Sequence, residues 1–316
     1  MIKVYIAGHT GMVGSSITRK LSSIKKFKII KAKRSQLNLL NYRNTFKFIK
    51  KNKPNLVIIC AAKVGGILKN MSFPADFYLD NILIQNNLIK SCHENNVKNI
   101  IFLGSSCIYP KNSKQPMKEE FLLQGKLEPT NEAYALAKIC GIKYCSYLNK
   151  QFKRNYVSVM PCNLYGPNDD FNIKTSHFIP GLINKLHYAK IKNLKEIEIF
   201  GSGKPRREIL HVDDLSNAVY KIIRLLIKND KRLKNIIEKY SFINIGSGRD
   251  FTIKEYALML KKIINVNVKF KYNKKYPDGM KRKLLEITKI KSLGWKPKIT
   301  FNEGFLKTYK WYKQNV

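Results

Sequence analysis

A hydroxyl, a thiol and a phenol–ammonium pair stand close together in the middle of the chain. Ser105 and Cys107 follow the run IFLG, which is typical of a buried parallel strand. Tyr134 and Lys138 are four residues apart, and side chains at that spacing share one face of a helix. A phenol next to an ammonium can give a proton to a ketone oxygen while a hydride reaches the carbon. These residue types at this spacing therefore indicate the reduction of a ketone.

A glycine-rich turn near the N-terminus indicates where the hydride comes from. A short strand over 3–7 runs into GHTGMVG, and the spacing of Ile17 and Leu21 then predicts a helix. Glycine accepts the unusual backbone angles of such a turn and lets the chain approach a pyrophosphate at the positive end of the helix. The same turn without a ligand is the alternative that the glycine spacing alone leaves open. We predict a dinucleotide site formed by Gly8, His9, Thr10, Gly11, Met12, Val13 and Gly14.

The second predicted strand, over 27–32, bears on which dinucleotide is bound. An NAD site has an acidic residue about 20 positions after the glycines, whereas an NADP site offers basic groups to the 2′-phosphate. Here residues 31–35 read KAKRS, and no Asp or Glu occurs before Asp76. Lysine is common throughout the chain, so the missing carboxylate is the stronger argument. We predict NADP(H) as the cofactor, with Arg34 as the contact to the phosphate.

Length and composition narrow the class of protein. A chain of 316 residues with 44% hydrophobic content can bury a full core, and we expect one larger and one smaller domain. The chain begins with a strand, and no apolar run approaches the roughly 20 residues that span a bilayer. Six cysteines without a CxxC pair predict reduced thiols and no zinc or other metal site. We therefore expect a cytoplasmic protein without a membrane partner.

The net charge of +39 raises nucleic-acid binding as a hypothesis. Only ten of the 60 basic residues are arginine, and the lysines are spread over the whole chain. No nucleic-acid-binding motif accompanies them. We predict no nucleic-acid partner, and we interpret the positive field as an aid to the capture of anionic nucleotides.

Apolar strands and helical segments alternate as in a doubly wound parallel sheet. Five strands are predicted before residue 165, over 3–7, 27–32, 56–62, 99–105 and 156–161. Helices are predicted between them near 41–51, 74–95 and 131–150. Later elements are a helix over 177–190, a strand over 196–201, a helix over 213–228, a strand over 241–245 that returns to the main sheet, and a strand over 268–272.

The predicted fold class is therefore α/β, a Rossmann sheet with a smaller C-terminal α/β part. We expect residues 1–165 and about 208–247 to form the NADP-binding domain. The substrate-binding domain is expected over about 166–207 and 248–316, in two separated pieces.

Ten segments in order carry a family resemblance: GHTGMVG, AAKVGGI, PADF, LGSSCIYP, EPTNEAYALAKI, MPCNLYGP, SHFIP, GSGKPRRE, HVDD and PDGMKRKLLE. The chain resembles the GDP-L-fucose synthase family of extended short-chain dehydrogenases/reductases over essentially its whole length. A Tyr–Lys pair with an upstream serine is shared by a large superfamily, but a cysteine directly after SS, with SHFIP downstream, is far narrower. The resemblance implies a homodimer. It also implies that GDP-4-keto-6-deoxy-D-mannose is epimerised at C3 and C5 and then reduced at C4.

The resemblance and residue chemistry together suggest five catalytic roles. Tyr134 gives a proton to the developing alkoxide, and Ser105 hydrogen-bonds the same oxygen. Lys138 stabilises the phenolate by its charge and holds the nicotinamide ribose. For epimerisation, the resemblance makes Cys107 the base and His177 the acid. Residue type alone leaves open a buried structural cysteine and a capping or core histidine.

The resemblance also carries over residues that contact the two ligands. Those implied for the cofactor are Leu39, Leu103, Gly104, Ser105, Ser106, Lys138, Pro161, Asn163, Leu164 and His177. Those implied for the GDP-sugar are Lys185, Phe200, Arg207 and Asp278, and the guanidinium suits a diphosphate better than an ammonium would. Two positions depart from the family pattern. Thr10 stands where many bacterial relatives have Arg, and Phe200 replaces the usual Trp before GSG.

Three other functions compete with this interpretation. A related enzyme could act on another GDP-4-keto-6-deoxy sugar, such as a heptose, as a C4 reductase with or without epimerase activity. A nucleotide-sugar 4-epimerase that keeps NAD bound would need an acid after the second strand and has no use for Cys107 and His177. A nucleotide-responsive regulator or an RNA-associated protein with a relic fold would not need Ser105, Tyr134 and Lys138 intact.

Overall fold

The computed structural model describes residues 1–173 and 175–316, and its strands and helices alternate through the first half of the chain. These elements are β1 (Ile2–Ala7), α1 (Met12–Ser22), β2 (Phe27–Ile30), α2 (Tyr42–Asn52), β3 (Leu56–Ile59), α3 (Ile67–Ser72), α4 (Pro74–Glu94), β4 (Asn99–Leu103), α5 (Glu132–Phe152) and β5 (Asn155–Pro161).

The second half contains shorter strands and mixed connections. Its elements are β6 (Asn163–Tyr165), α6 (Phe178–Ile191), β7 (Glu196–Phe200), β8 (Arg206–His211), α7 (Val212–Ile227), α8 (Lys231–Tyr240), β9 (Phe242–Ile245), β10 (Asp250–Thr252), α9 (Ile253–Ile264), β11 (Lys269–Asn273), β12 (Arg282–Lys283), α10 (Thr288–Ser292) and α11 (Phe301–Asn315).

Six strands form one parallel sheet in the order β2-β1-β3-β4-β5-β9. Its central strands are apolar and fully buried, as expected for a parallel sheet covered on both faces by helices. The predicted α/β fold class is confirmed, and the strand predicted over 241–245 does return to this sheet as β9. β2, β3 and β4 end before their predicted limits, because the following residues leave the sheet to line a cleft at its carboxyl edge.

Several elements of the second half were not predicted. β6, β10 and β12 are two or three residues long, too short to show a period in the sequence. β8 contains Arg206, Arg207 and Glu208, and these charges conceal a strand that is largely buried. Both Glu208 carboxylate oxygens accept backbone hydrogen bonds, from Gly248 N and Leu285 N, which compensates for the buried charge.

The apolar side chains form two separate cores. The larger surrounds the six-stranded sheet, and the smaller lies between α6, α9, α11 and β7. Leu285, Ile290 and Trp295 belong to the larger core although they follow residue 248. The predicted domain boundaries stay a prediction. Across residues 1–173 and 175–316, no helix has both the length and the apolar composition that a membrane crossing requires.

Candidate active site

A cleft of ≈ 930 Å³ runs along the carboxyl edge of the main sheet and reaches the small sheets. Ligands of open α/β sheets bind at this edge. Nearly all of the predicted site residues line it: Gly8, His9, Thr10, Gly11, Met12, Val13, Gly14, Arg34, Leu39, Leu103, Gly104, Ser105, Cys107, Tyr134, Lys138, Pro161, Asn163, Leu164, His177, Phe200, Arg207 and Asp278.

Two of the predicted site residues do not line the cleft. Ser106 is buried in the short 3₁₀ helix Ser106–Ile108, below the surface that Ser105 and Cys107 present. Lys185 lies behind Phe200, and its Nζ donates to the carbonyl oxygen of Glu198 at 2.8 Å. Any contact of Lys185 with a ligand in this conformation would be indirect.

The glycine turn has the shape that a pyrophosphate requires. Gly8 has a φ of +82°, and a Cβ there would come within 2.7 Å of Ala61 N. A Cβ on Gly14 would overlap the carbonyl of Gly8, whereas one on Gly11 would meet the same carbonyl oxygen at an ordinary van der Waals distance of 3.7 Å. No side chain caps the N-terminus of α1, and its first turn has no acidic residue. Its backbone N–H groups therefore suit an anion.

His9 and the end of β2 extend this site. The Nδ1 atom of His9 is buried without a hydrogen-bond partner among the described residues, as expected of a group that meets a ligand. Lys33 and Arg34 are exposed and line the same cleft. Thr10, the residue that stands where many bacterial relatives have Arg, is also exposed there. These residues fit a dinucleotide that carries a 2′-phosphate.

Tyr134 and Lys138 lie one turn apart on α5, as predicted. The ring of Phe77, which is fully buried, packs edge-on against the ring of Tyr134 with centroids 6.4 Å apart. Lys138 Nζ lies 5.8 Å from the Tyr134 ring centroid and donates to the carbonyl oxygen of Leu103 at 2.9 Å. Packing and a backbone hydrogen bond therefore hold both side chains at the end of β4, beside Ser105.

Burial is the main influence on the pKa values of Tyr134 and Lys138. Burial, and next the neighbouring Cys107, raise the pKa of Tyr134 above its usual value, and hydrogen bonding with Ser105 opposes the rise only in part. Burial also lowers the pKa of Lys138 to about 8. Desolvation dominates the shifts of both groups, and the stabilisation of the phenolate by Lys138 stays a prediction. Tyr134 is consequently a neutral phenol at pH 7, the form that can donate a proton.

Cys107 has three polar neighbours. Its backbone N donates to Ser105 Oγ at 3.3 Å, and its Sγ accepts from Asn131 Nδ2 at 3.2 Å. Lys283 Nζ lies 3.8 Å from the same sulfur. Sequence reasoning singled out neither Asn131 nor Lys283, although both fall inside the segments EPTNEAYALAKI and PDGMKRKLLE. An amide and an ammonium are thus both directed at this sulfur.

His177 precedes α6, and its side chain does not cap that helix. The side chain is open to the cleft, but surrounding protein atoms desolvate the ring and lower its pKa, an effect that Lys283 adds to and Asp170 opposes. His177 is therefore neutral at pH 7. Lys283 therefore lies near both groups predicted to epimerise the substrate.

Arg207 and Asp278 hold the loop that follows β11. The Arg207 guanidinium, 8% exposed, donates to the carbonyl oxygens of Arg206, Asp278 and Met280 at 2.7–2.9 Å. Its burial lowers the pKa to about 10. The Asp278 carboxylate accepts from the backbone N and the Oγ of Ser202, each at 2.7 Å. Both residues line the cleft, and their contact with a substrate stays a prediction.

The sheet, the glycine turn and the Tyr–Lys helix at one carboxyl edge define a class of protein, the extended short-chain dehydrogenases/reductases. Residues 4–236 match the model of the NAD dependent epimerase/dehydratase family, and the chain belongs to that family. The resemblance found from the motifs is confirmed. The chain is 45% identical over 313 residues to the GDP-L-fucose synthase of Escherichia coli strain K12. The aligned residues cover 99% of this chain and 97% of that protein.

Solved structures from Campylobacter jejuni are also similar. A GDP-6-OMe-4-keto-L-xylo-heptose reductase superimposes with a TM-score of 0.91 at 36% identity, covering 100% of this chain and 98% of the other. A GDP-mannoheptose C4 reductase with NADP bound superimposes with a TM-score of 0.87 at 37% identity, covering 99% of this chain and 98% of the other.

Proposed function

We propose that this chain converts GDP-4-keto-6-deoxy-D-mannose into GDP-L-fucose, by epimerisation at C3 and C5 followed by NADPH-dependent reduction at C4. The 45% identity to a GDP-L-fucose synthase, over 99% of this chain, supports the assignment. One structural observation carries it: a single cleft holds the Tyr134–Lys138 pair together with Cys107 and His177. A simple reductase needs the pair but has no use for the thiol and imidazole.

For the reduction, NADPH supplies a hydride to C4 when it is bound. The neutral phenol of Tyr134 gives its proton to the oxygen that becomes an alkoxide. Ser105 donates a hydrogen bond to the same oxygen and stabilises the developing charge. Lys138 positions the cofactor ribose, and its ammonium favours transfer of the phenol proton.

For the epimerisations, the thiolate of Cys107 removes the acidic proton next to the C4 ketone. Asn131 and Lys283 contact this sulfur at 3.2 Å and 3.8 Å and hold it in position. The protonated fraction of His177, small at pH 7, delivers a proton to the opposite face of the carbon, which inverts its configuration. The C4 ketone is needed for both inversions because it makes the neighbouring protons acidic, so reduction must come last.

Product analysis in deuterated water tests the assignment. The chain is incubated with NADPH and GDP-4-keto-6-deoxy-D-mannose, and we expect GDP-L-fucose with deuterium at C3 and C5. Cys107→Ser should abolish this incorporation, and Cys140→Ser, at an exposed thiol on α5, is the matched control. Incorporation that persists in Cys107→Ser, or turnover with NADH but not NADPH, would contradict the proposal.

A C4 reductase of another GDP-4-keto-6-deoxy sugar, such as a heptose, is the second candidate. The TM-score of 0.91 to a GDP-heptose reductase favours it, as does Phe200 in place of Trp. Parallel assays with a GDP-4-keto heptose distinguish the two. A higher kcat/KM on the heptose, with no deuterium incorporation on either substrate, would favour the reductase.

We further propose that the chain is a cytoplasmic homodimer. All six cysteines are unpaired thiols, as expected in a reducing compartment. Leu79 on α4 and Leu136 and Tyr147 on α5 expose large apolar side chains on two helices that pack side by side. A second copy of the chain could cover this face, and the molar mass measured by light scattering tests the proposal.

A further inference from the structure

Both faces of the Phe200 ring are covered by side chains. The Tyr276 ring stacks on it with centroids 4.0 Å apart and planes 25° apart. Lys185 Nζ lies 3.7 Å from the same centroid. Two groups in van der Waals contact with one ring centre cannot share a face, so they lie on opposite sides. A nucleotide base could therefore stack directly on Phe200 only if Tyr276 or Lys185 moved away.

Tyr276 itself lines the cleft and is held firmly at its backbone. Its N donates to the carbonyl oxygen of Asn273. Two residues later, Asp278 is bound through its carboxylate to Ser202 and through its carbonyl to Arg207. Among the described residues, Phe200 is the aromatic ring that packs on Tyr276, and Tyr276 also contributes to the cleft lining.

Two neighbouring cations connect Cys107 to the loop that carries Tyr276. Lys283 on β12 pairs with Arg207 on β8, so the two cations are neighbours. Lys283 Nζ reaches Cys107, and Arg207 reaches the backbone of the Asp278 loop that carries Tyr276. A sugar at Cys107 and a diphosphate near the two cations would therefore bring the base to Tyr276.

We propose that the guanine base of the nucleotide-sugar stacks on Tyr276, with Phe200 as the support behind it. The identity of the base rests on the proposed function, but the stacking requires only that a purine nucleotide binds. Aromatic surface that Phe200 lacks relative to a tryptophan is thus supplied by a second ring, Tyr276, which lies 76 residues further along the chain. Tyr276 is a binding residue and takes no part in proton transfer.

Calorimetric titration of the full chain with GDP and with inorganic pyrophosphate tests this proposal. Tyr276→Ala should weaken GDP binding about 5-fold to about 100-fold, the range for loss of one base–aromatic stack. Pyrophosphate binding should not change, because it occupies only the cationic part of the cleft. Tyr276→Phe keeps the ring and should bind GDP like the wild type. Tyr188→Ala, at an exposed tyrosine on α6, is the matched control.

The results separate this inference from the proposed function. Unchanged GDP binding in Tyr276→Ala, or an equal loss for GDP and pyrophosphate, would overturn the stacking, as would a wild-type chain that binds no GDP. A wild type that binds GDP through Tyr276 but does not turn over GDP-4-keto sugars would contradict only the proposed function. In turnover assays, Tyr276→Ala should raise KM and leave kcat near the wild-type value.

Discussion

The buried ammonium of Lys138 should lower the stability of the folded protein at neutral pH by an amount that is relieved in alkaline solution. Lys138 is 3% exposed, and burial lowers its pKa from 10.5 to about 8. Among the described contacts, the ammonium is stabilised by its hydrogen bond to the Leu103 carbonyl oxygen and by the rings of Phe102 and Tyr134. Lys138→Met removes the charge and keeps most of the side-chain volume.

The sign and size follow from the two pKa values. Because the folded pKa is lower than the unfolded one, the charge penalty is fully present below about pH 8 and is relieved as the pH rises towards 10.5. At pH 7 the penalty is about 3 kcal/mol, and at pH 9.5 about 1.4 kcal/mol. Lys138→Met also leaves the Leu103 carbonyl without its donor, at a cost of about 1–3 kcal/mol that does not depend on pH.

The quantity to measure is therefore the difference in unfolding free energy between Lys138→Met and the wild type, as a function of pH. Relative to the wild type, Lys138→Met should lose about 2 kcal/mol of unfolding free energy between pH 7 and pH 9.5. Urea titrations followed by the fluorescence of Trp295, in the core that contains α5, measure this change. Lys150→Met, at an exposed position on α5, is the matched control and should show no such change. A difference in unfolding free energy that does not change with pH would refute the reasoning. Lys138→Met should also lose C4 reduction, but that loss does not bear on this test.

Two further substitutions test the separate halves of the reaction. Tyr134→Phe should slow C4 reduction about 10²- to 10⁴-fold, because the proton donor is gone. Deuterium exchange at C3 and C5 should continue. A parallel loss of exchange, seen by NMR, would mean that the two sets of residues do not act separately. Lys283→Met should slow deuterium exchange at C3 and C5 about tenfold, since Cys107 loses the ammonium that contacts its sulfur at 3.8 Å. It should also raise the pKa of His177 in NMR titrations, because the charge of Lys283 lowers that pKa. Lys281→Met, at the exposed position two residues earlier, is the control, and effects of equal size from it would contradict the role of Lys283.

Much of the larger core was predictable because its signals are local. Short apolar runs separated by helical segments identify parallel strands, and β1, β4, β5 and β9 lie where the sequence predicts them. The smaller sheets were less predictable. β8 contains three charged residues whose burial depends on partners far along the chain, among them Leu285, which binds Glu208. A pattern based on hydrophobic period cannot show a strand of this kind.

The sequence by itself determined the glycine turn, the missing carboxylate after β2, and the Tyr134–Lys138 pair. In each case the geometry is set by a few adjacent residues, through backbone angles or the helical repeat. Only the tertiary structure decided that Lys283 meets Cys107 across 176 positions of the chain and that Tyr276 covers Phe200. These contacts depend on strand register and on the loop that Arg207 and Asp278 hold, and no local spacing encodes them. The charge around the catalytic groups also belongs to the structure, because the pKa values of Tyr134, Lys138 and His177 are shifted mainly by burial, which exists only once the chain is folded.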